Sequence, residues 1–251
     1  MKYKTIFISD VHLGSRGCQA DLLFDFLKNN QSDNLYLVGD ILDIWALKRE
    51  LYWPQSHTNV LKQILSASKR GTKIYYILGN HDKEFRRFLN LELQFGNISI
   101  HNQLPYISGE GKKYLVIHGD QFDSIIQSKT GPILTWVGNH AYSQLLRVNI
   151  LINRLRKRYK LKYWSLADFM KRNTKQVLDF MNYFEDAAIN YAKKNGYDGV
   201  ICGHIHYYKI KEHDNLLYMN DGDWVDCCSA LVETYDNKFK IIKWTGEIDN
   251  E

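Results

Sequence analysis

The chain has 251 residues, with 33 Lys and Arg against 28 Asp and Glu, 45% hydrophobic and 14% aromatic residues, 16 Gly and 3 Pro. That composition excludes collagenous, low-complexity and disordered chains and describes a soluble globular protein one to two domains long. The chain reaches Asp10 before a signal-peptide core forms, and Thr135, Asn139, His140, Ser143 and Gln144 break its longest uncharged stretch, Thr130 to Leu146. Neither export nor a membrane span is therefore expected. Cys18, Cys202, Cys227 and Cys228 contain no C-x-x-C pair and read as free thiols, which makes the cytoplasm the expected location.

Tyr3 to Ser9 reads as the first strand. Leu22, Leu23, Phe26 and Leu27 then recur at helical spacing, and Asn34 to Val38 reads as the second strand. Val60, Leu61, Ile64 and Leu65 repeat the helical pattern before a third strand, Lys73 to Leu78. This βαβαβ order predicts an α/β protein with a mostly parallel sheet flanked by helices. Further strands are expected at Asn97 to His101, Tyr114 to His118, Gly199 to Cys202, Leu216 to Met219, Leu231 to Tyr235 and Phe239 to Trp244. Residues 1–251 read as a single domain interrupted by a helical segment, 122–197.

That segment holds most of the positive charge. From Arg147 to Lys175 there are ten basic residues (Arg147, Arg154, Arg156, Lys157, Arg158, Lys160, Lys162, Lys171, Arg172 and Lys175) against Asp168 alone, a net +9. With a formal charge of +5 for the whole chain, the remainder carries −4. An acidic body thus bears a basic helical insertion, which is where an anionic partner is expected to bind.

Five short motifs each follow an expected strand: Asp10-Val11-His12, Gly39-Asp40, Gly79-Asn80-His81-Asp82, His118-Gly119-Asp120 and Gly203-His204-Ile205-His206. Taken singly, Asp-x-His is a helix cap beside a hydrogen-bonded imidazole, Gly-Asp is a turn, and His118 is a strand-end histidine. Together, in order and each at the carboxyl end of a strand, they converge on one cleft. Carboxylate, amide oxygen and imidazole form a mixed donor set that suits Mn²⁺, Fe or Zn²⁺ better than Mg²⁺. Seven candidate ligands exceed the needs of one ion and fit two that share a carboxylate.

These motifs resemble the signature of the calcineurin-like metallophosphoesterase superfamily. The resemblance implies two facing β-sheets with helices outside, a four-layer αββα sandwich with a helical lid. It also implies a dinuclear site, with one metal on Asp10, His12, Asp40 and His206 and the other on Asp40, Asn80, His118 and His204, bridged by Asp40. Ser9-Asp10-Val11-His12-Leu13-Gly14, Gly39-Asp40-Ile41-Leu42-Asp43-Ile44-Trp45, His118-Gly119-Asp120 and Gly222-Asp223-Trp224 are similar to the UDP-2,3-diacylglucosamine diphosphatases of lipid A synthesis. The best-known members of that group carry Arg where this chain has His81, so Gly-Asn-His-Asp follows the broader pattern and leaves the substrate open.

The expected nucleophile is a water acidified by two cations, Mn²⁺ by preference, with no Ser or Cys required. His81 is left free to bind a phosphoryl oxygen or to protonate the leaving oxygen, its tautomer fixed by Asp82 or another nearby carboxylate; the plainer alternative is a hydrogen-bonding support for the ligands. Asp43 reads as a helix N-cap, and Asp120 as a residue that orients His118 or its loop. Asn80, His81, Arg154, Arg158, Lys162 and Trp164 are the expected substrate contacts. The insertion, which also carries Tyr159, Tyr163 and Phe169, would meet a diphosphate and a base or lie on an anionic membrane surface. The expected reaction cleaves UDP-2,3-diacylglucosamine to UMP and 2,3-diacylglucosamine 1-phosphate. The alternatives are a broader phosphodiesterase or nucleotide pyrophosphatase, a DNA nuclease, and a non-catalytic scaffold. Nucleic acid is not the expected partner.

Overall fold

The early strands carry consecutive rather than alternating apolar residues, the pattern of a strand covered on both sides. In β1 (Lys2–Ile8), Ile6 and Ile8 face the helices while Phe7 faces a second sheet. In β2 (Gln31–Val38), Leu35 and Leu37 face the helices and Tyr36 and Val38 the second sheet. The two-residue period of a strand thus builds two cores from one apolar run.

The computed structural model describes residues 1–91, 94–95, 97–130 and 174–245, and between them 148, 149, 152, 153, 155, 156, 158, 159, 161, 163–166 and 169. One sheet of seven strands runs β12-β11-β1-β2-β3-β5-β4, with β3 at Lys73–Ile77, β4 at Gln94–Phe95, β5 at Ile98–His101, β11 at Ser229–Glu233 and β12 at Phe239–Lys243. Its β1, β2, β3 and β5 are parallel neighbours. The other sheet has five strands in the order β6-β7-β8-β10-β9, namely Gln103–Ile107, Lys113–Ile117, Gly199–Cys202, Leu216–Asn220 and Lys209–His213. In it β7, β8 and β10 are parallel neighbours.

Three apolar cores separate four layers. Helices α1 (Ala20–Asn29) and α3 (Gln55–Lys69) cover the seven-stranded sheet through Leu23, Phe26, Val60 and Ile64. Between them in sequence lies the short α2 (Ile44–Arg49). Phe7, Tyr36, Tyr106, Tyr114, Ile201, Met219 and Leu231 fill the space between the sheets. On the far side, α4 (Asp123–Thr130) and α5 (Lys175–Lys194) cover the five-stranded sheet through Ile126, Phe184, Ala188 and Ile189. The αββα expectation is therefore met.

The structure narrows the expected insertion. Met181, Phe184, Ala188 and Ala192 form a buried apolar stripe at helical spacing, so α5 belongs to the body, as does α4. What remains is the chain between those helices. Its Tyr163, expected beside a bound base, instead packs on the core of the seven-stranded sheet and donates its hydroxyl to the Val225 carbonyl at 3.1 Å. Arg154 and Lys162 lie outside the described residues, as do several of the other basic residues.

Phe7 is fully buried, with Tyr36 at 4.9 Å and Tyr106 at 5.1 Å between ring centroids. Phe7→Ala is expected to destabilise the fold by about 3–5 kcal/mol in denaturant unfolding. A loss within experimental error of zero would show that this aromatic seam does not hold the sheets together.

Candidate metal centre

Both sheets present the carboxyl ends of parallel strands to one edge of the sandwich. β1, β2 and β3 deliver Asp10, Asp40 and Asn80, while β7 and β8 deliver His118 and the Gly203-His204-Ile205-His206 loop. Parallel pairing continues beyond the strands: Asp10 N–H donates to the Gly39 carbonyl at 3.0 Å and His12 N–H to the Asp40 carbonyl at 2.9 Å. The two loops are thereby held side by side. Five of the expected site residues take left-handed backbone, with φ of 49° at Asp10, 52° at His12, 54° at Asp40, 72° at His204 and 51° at His206. Such conformations cost about 1–3 kcal/mol each and persist only where surrounding contacts impose them.

Glycine is required where the motifs touch. A Cβ on Gly39, whose φ is +87°, would fall 2.3 Å from His118 Nδ1, and one on Gly79 would fall 2.2 Å from Asp40 Oδ1. The Gly of Gly-Asp and the first Gly of Gly-Asn-His-Asp are thus close-approach positions.

Each carboxylate is tied by one oxygen and presents the other. Asp40 Oδ1 accepts the His81 N–H at 2.8 Å, while Asp40 Oδ2 lies 3.4 Å from His118 Nε2, 3.8 Å from His12 Nε2 and 3.9 Å from His81 Nε2. Asp10 Oδ2 accepts the His204 N–H at 2.8 Å and lies 2.6 Å from Ser9 Oγ. Its Oδ1 stands 3.2 Å from His206 Nε2 and 3.7 Å from His12 Nε2. Ser9 Oγ also lies 2.6 Å from Asp221 Oδ1. One hydroxyl hydrogen cannot serve two carboxylates. Burial pushes the Asp221 carboxyl well above the ordinary carboxylate range, the direction that eases the competition for that hydrogen.

The imidazoles follow the same scheme. His12 Nδ1 meets Asp43 Oδ2 at 3.2 Å, His118 Nδ1 meets the Val38 carbonyl at 2.9 Å, and His206 Nδ1 meets Asp223 Oδ2 at 3.4 Å. Each leaves its Nε2 for the centre, the arrangement of metal-binding histidines held from behind. Asp10 Oδ1, His12 Nε2, Asn80 Oδ1 and His118 Nε2 are buried without a hydrogen-bond partner among the described residues. Donor atoms of Asp10, His12 and His206 lie within 4.8 Å of one another, as do those of Asp10, Asp40 and His118, and of His12, Asp43 and His81. His204 lies outside these three groups, its ring edge-on to His118 at 5.0 Å.

The electrostatics agree with a cation site. Burial alone would raise the Asp10 carboxyl, but His206 and His12 hold it well below the ordinary range. Burial would lower His12, yet its hydrogen bonds to Asp10 and Asp43 push it up to about 10. For His118, burial is likewise overcome by Asp40, which holds it well above its usual value. A field that favours positive charge on buried imidazoles also favours a divalent cation among them. The buried, unpartnered oxygen and nitrogen atoms therefore fit a metal.

Two expectations need correction. Asp82 does not meet His81: its fully buried carboxylate accepts from Gly79 N–H at 2.6 Å, Tyr76 hydroxyl at 2.6 Å and Ile41 N–H at 2.9 Å, clamping two motif loops together. Asp43 holds His81 instead, at 2.9 Å from Nδ1, while also capping α2 by accepting from Ala46 N–H at 2.8 Å. Asp120 pairs with Arg86 at 3.0 Å, and the Val38 carbonyl turns His118. His81 is also covered by Trp45, with ring centroids 4.2 Å apart. Of the expected substrate contacts in the insertion, Arg158 and Trp164 are exposed, and Trp164 leans on Phe169.

A profile of the calcineurin-like phosphoesterase family matches residues 3–208. Three curated proteins called UDP-2,3-diacylglucosamine hydrolase are similar along nearly the whole chain. The one from Histophilus somni (strain 2336) is 28% identical, over 95% of this chain and 99% of its own length. That from Psychromonas ingrahamii is 26% identical over 95% and 96%, and that from Vibrio atlanticus is 27% identical over 92% and 93%.

Asp40→Asn removes the charge whose Oδ2 faces three imidazoles, and it is expected to strip bound divalent metal when the purified protein is assayed by elemental analysis. Full metal occupancy with normal turnover in that variant would overturn the centre.

Proposed function

Because the chain belongs to the calcineurin-like phosphoesterase family, a family of metal-dependent phosphoester hydrolases that bind two divalent ions, we propose that it cleaves the diphosphate of UDP-2,3-diacylglucosamine, releasing UMP and the acylated sugar 1-phosphate. The observation that carries the hydrolytic reading is the convergence of buried, unpartnered donor atoms from both sheets. Relatives of that name along nearly the full chain support the substrate.

Asp10, His12, Asp40 and His206 would hold one ion, and Asp40, Asn80, His118 and His204 the other, with Mn²⁺ the preferred occupant and Fe or Zn²⁺ compatible with the same donors. When bound, such ions supply electrophilic activation of the phosphoryl group and an acidified water. The chain's own part lies with His81. Asp43 fixes its Nδ1, Trp45 covers its face, and Nε2 is left 3.9 Å from Asp40 Oδ2, at the rim of the centre. There it donates to a phosphoryl oxygen or hands a proton to the departing one. Asp82 acts by fixing the loops rather than by moving a proton.

The basic strip would meet the anionic substrate or the lipid surface that bears it, beside exposed Leu155, Tyr159, Leu161 and Trp164. Among the described residues no helix is long and apolar enough to cross a membrane. Location in the cytoplasm, peripheral to the membrane, accords with that reading. Co-sedimentation with anionic vesicles should fall as salt rises, because exposed charges act over about 10 Å at 0.1 M ionic strength. Salt-independent binding, or none, would remove the membrane surface from the proposal.

Phosphorus NMR of the Mn²⁺-loaded protein, with UDP-2,3-diacylglucosamine, UDP-sugars and a simple phosphodiester side by side, tests the substrate. UMP from the acylated compound at the highest kcat/KM is the expected result; preference for the simple diester would install a broader phosphodiesterase. On the preferred substrate, His81→Ala should keep its metal and lose about 10²- to 10⁴-fold in turnover. Loss of metal would make His81 a ligand.

A further inference from the structure

His12, His118 and His206 are each turned through Nδ1, by Asp43, the Val38 carbonyl and Asp223 respectively. His204 is held differently. Its Nε2 meets Asp123 Oδ1 at 2.7 Å, and Asp123 is the first residue of α4. The start of that helix is pinned by the preceding residue: Phe122 is buried and packs edge-on against Phe184 and Tyr191, each at 5.7 Å. The carboxylate therefore stands at a fixed place although its side chain is 43% exposed.

His204 is tied at both ends. Its backbone, at φ 72°, donates to Asp10 Oδ2 at 2.8 Å, and its ring lies edge-on to His118 while meeting Asp123. A carboxylate only accepts, so the nitrogen facing it carries the hydrogen and Nδ1 is the nitrogen left with a lone pair. We propose that Asp123 is the positioning residue of His204: it fixes the Nε2–H tautomer and ring orientation that leave Nδ1 for a divalent cation in the part of the centre His204 shares with His118. The inference rests on the metal-centre reading given above. It also distinguishes His204 from His12, His118 and His206, which keep Nε2 for the centre.

Direct Mn²⁺ titration, with free ion followed by electron paramagnetic resonance, tests this without reference to turnover. A parent protein that binds two ions satisfies the metal-centre reading; a parent that binds none or one overturns that reading before Asp123 is at issue. Given two sites, Asp123→Ala should weaken one by about 10- to 100-fold and leave the other within about twofold. Asp123→Asn, whose side-chain oxygen still accepts from Nε2–H, should recover most of the loss. His204→Ala should weaken the same site, and adding Asp123→Ala to it should cost little more. Unchanged affinities in Asp123→Ala, or equal loss at both sites, would overturn the proposal. So would Asp123→Asn as weak as Asp123→Ala, because the carboxylate charge would then be acting on the ion itself. Should Asp123→Ala fail to fold, Asp123→Asn decides alone: near-parent affinity at both sites supports the positioning role, and selective loss at one site refutes it.

Discussion

A carboxylate removed from water keeps its charge only where hydrogen-bond donors and cations surround it, and Asp10 and Asp40 are both buried. Each meets this constraint by dividing its two oxygens. One is held by backbone N–H groups, from His204 for Asp10 and from His81 for Asp40, and the other is turned to the histidines. That division dictates much of the surrounding architecture. The loops must bring N–H groups from distant parts of the chain to the carboxylates, which forces left-handed backbone at Asp10, His12, Asp40, His204 and His206 and allows no side chain at Gly39 or Gly79. The four-layer fold supplies the rigidity that holds those conformations.

The central strands were legible because burial on both faces leaves an apolar run in the sequence, as Tyr3 to Ser9 and Asn34 to Val38 show. The strands that escaped, β4, β6 and β9, all lie at sheet edges. An edge strand need not be apolar on both faces, and it tolerates Pro105 in β6 and the charged run Lys209-Ile210-Lys211-Glu212-His213 in β9. Their pairing is imposed by neighbours, so local pattern carries little trace of it. The reverse holds at α5: its apolar stripe is plain in the sequence but its partner, the five-stranded sheet, is not, so local pattern alone groups it with the insertion.

The candidate site divides in the same way. The five motifs were legible because each couples unusual residue types to the end of a strand, and the structure gathers all five at one edge. The groups behind them were harder to read. Asp43 reads as a helix cap, and both it and Asp223 do two jobs: Asp223 accepts from Val225 N–H at 2.8 Å and Cys227 N–H at 3.0 Å while facing His206. A backbone carbonyl, such as that of Val38 behind His118, has no sequence signal at all. Asp82 is the opposite case: its place inside a strong motif suggests chemistry, whereas its neighbours consume it in holding the loops.

The donor atoms come from both sheets. Asp10, His12, Asp40 and Asn80 follow strands of the seven-stranded sheet, and His118, His204 and His206 follow strands of the five-stranded one. Neither layer holds a complete proposed set, so an ion bound between them would act as a staple across the sandwich, its binding free energy adding to the cohesion of two halves that the aromatic seam also joins. At a free-ion concentration a hundred times the dissociation constant, mass action adds about 2.7 kcal/mol per site. With the proposed ions bound, the cohesion of the sandwich would follow the metal content of its surroundings: metal scarcity would loosen the seam between the layers as well as silence the chemistry at its rim.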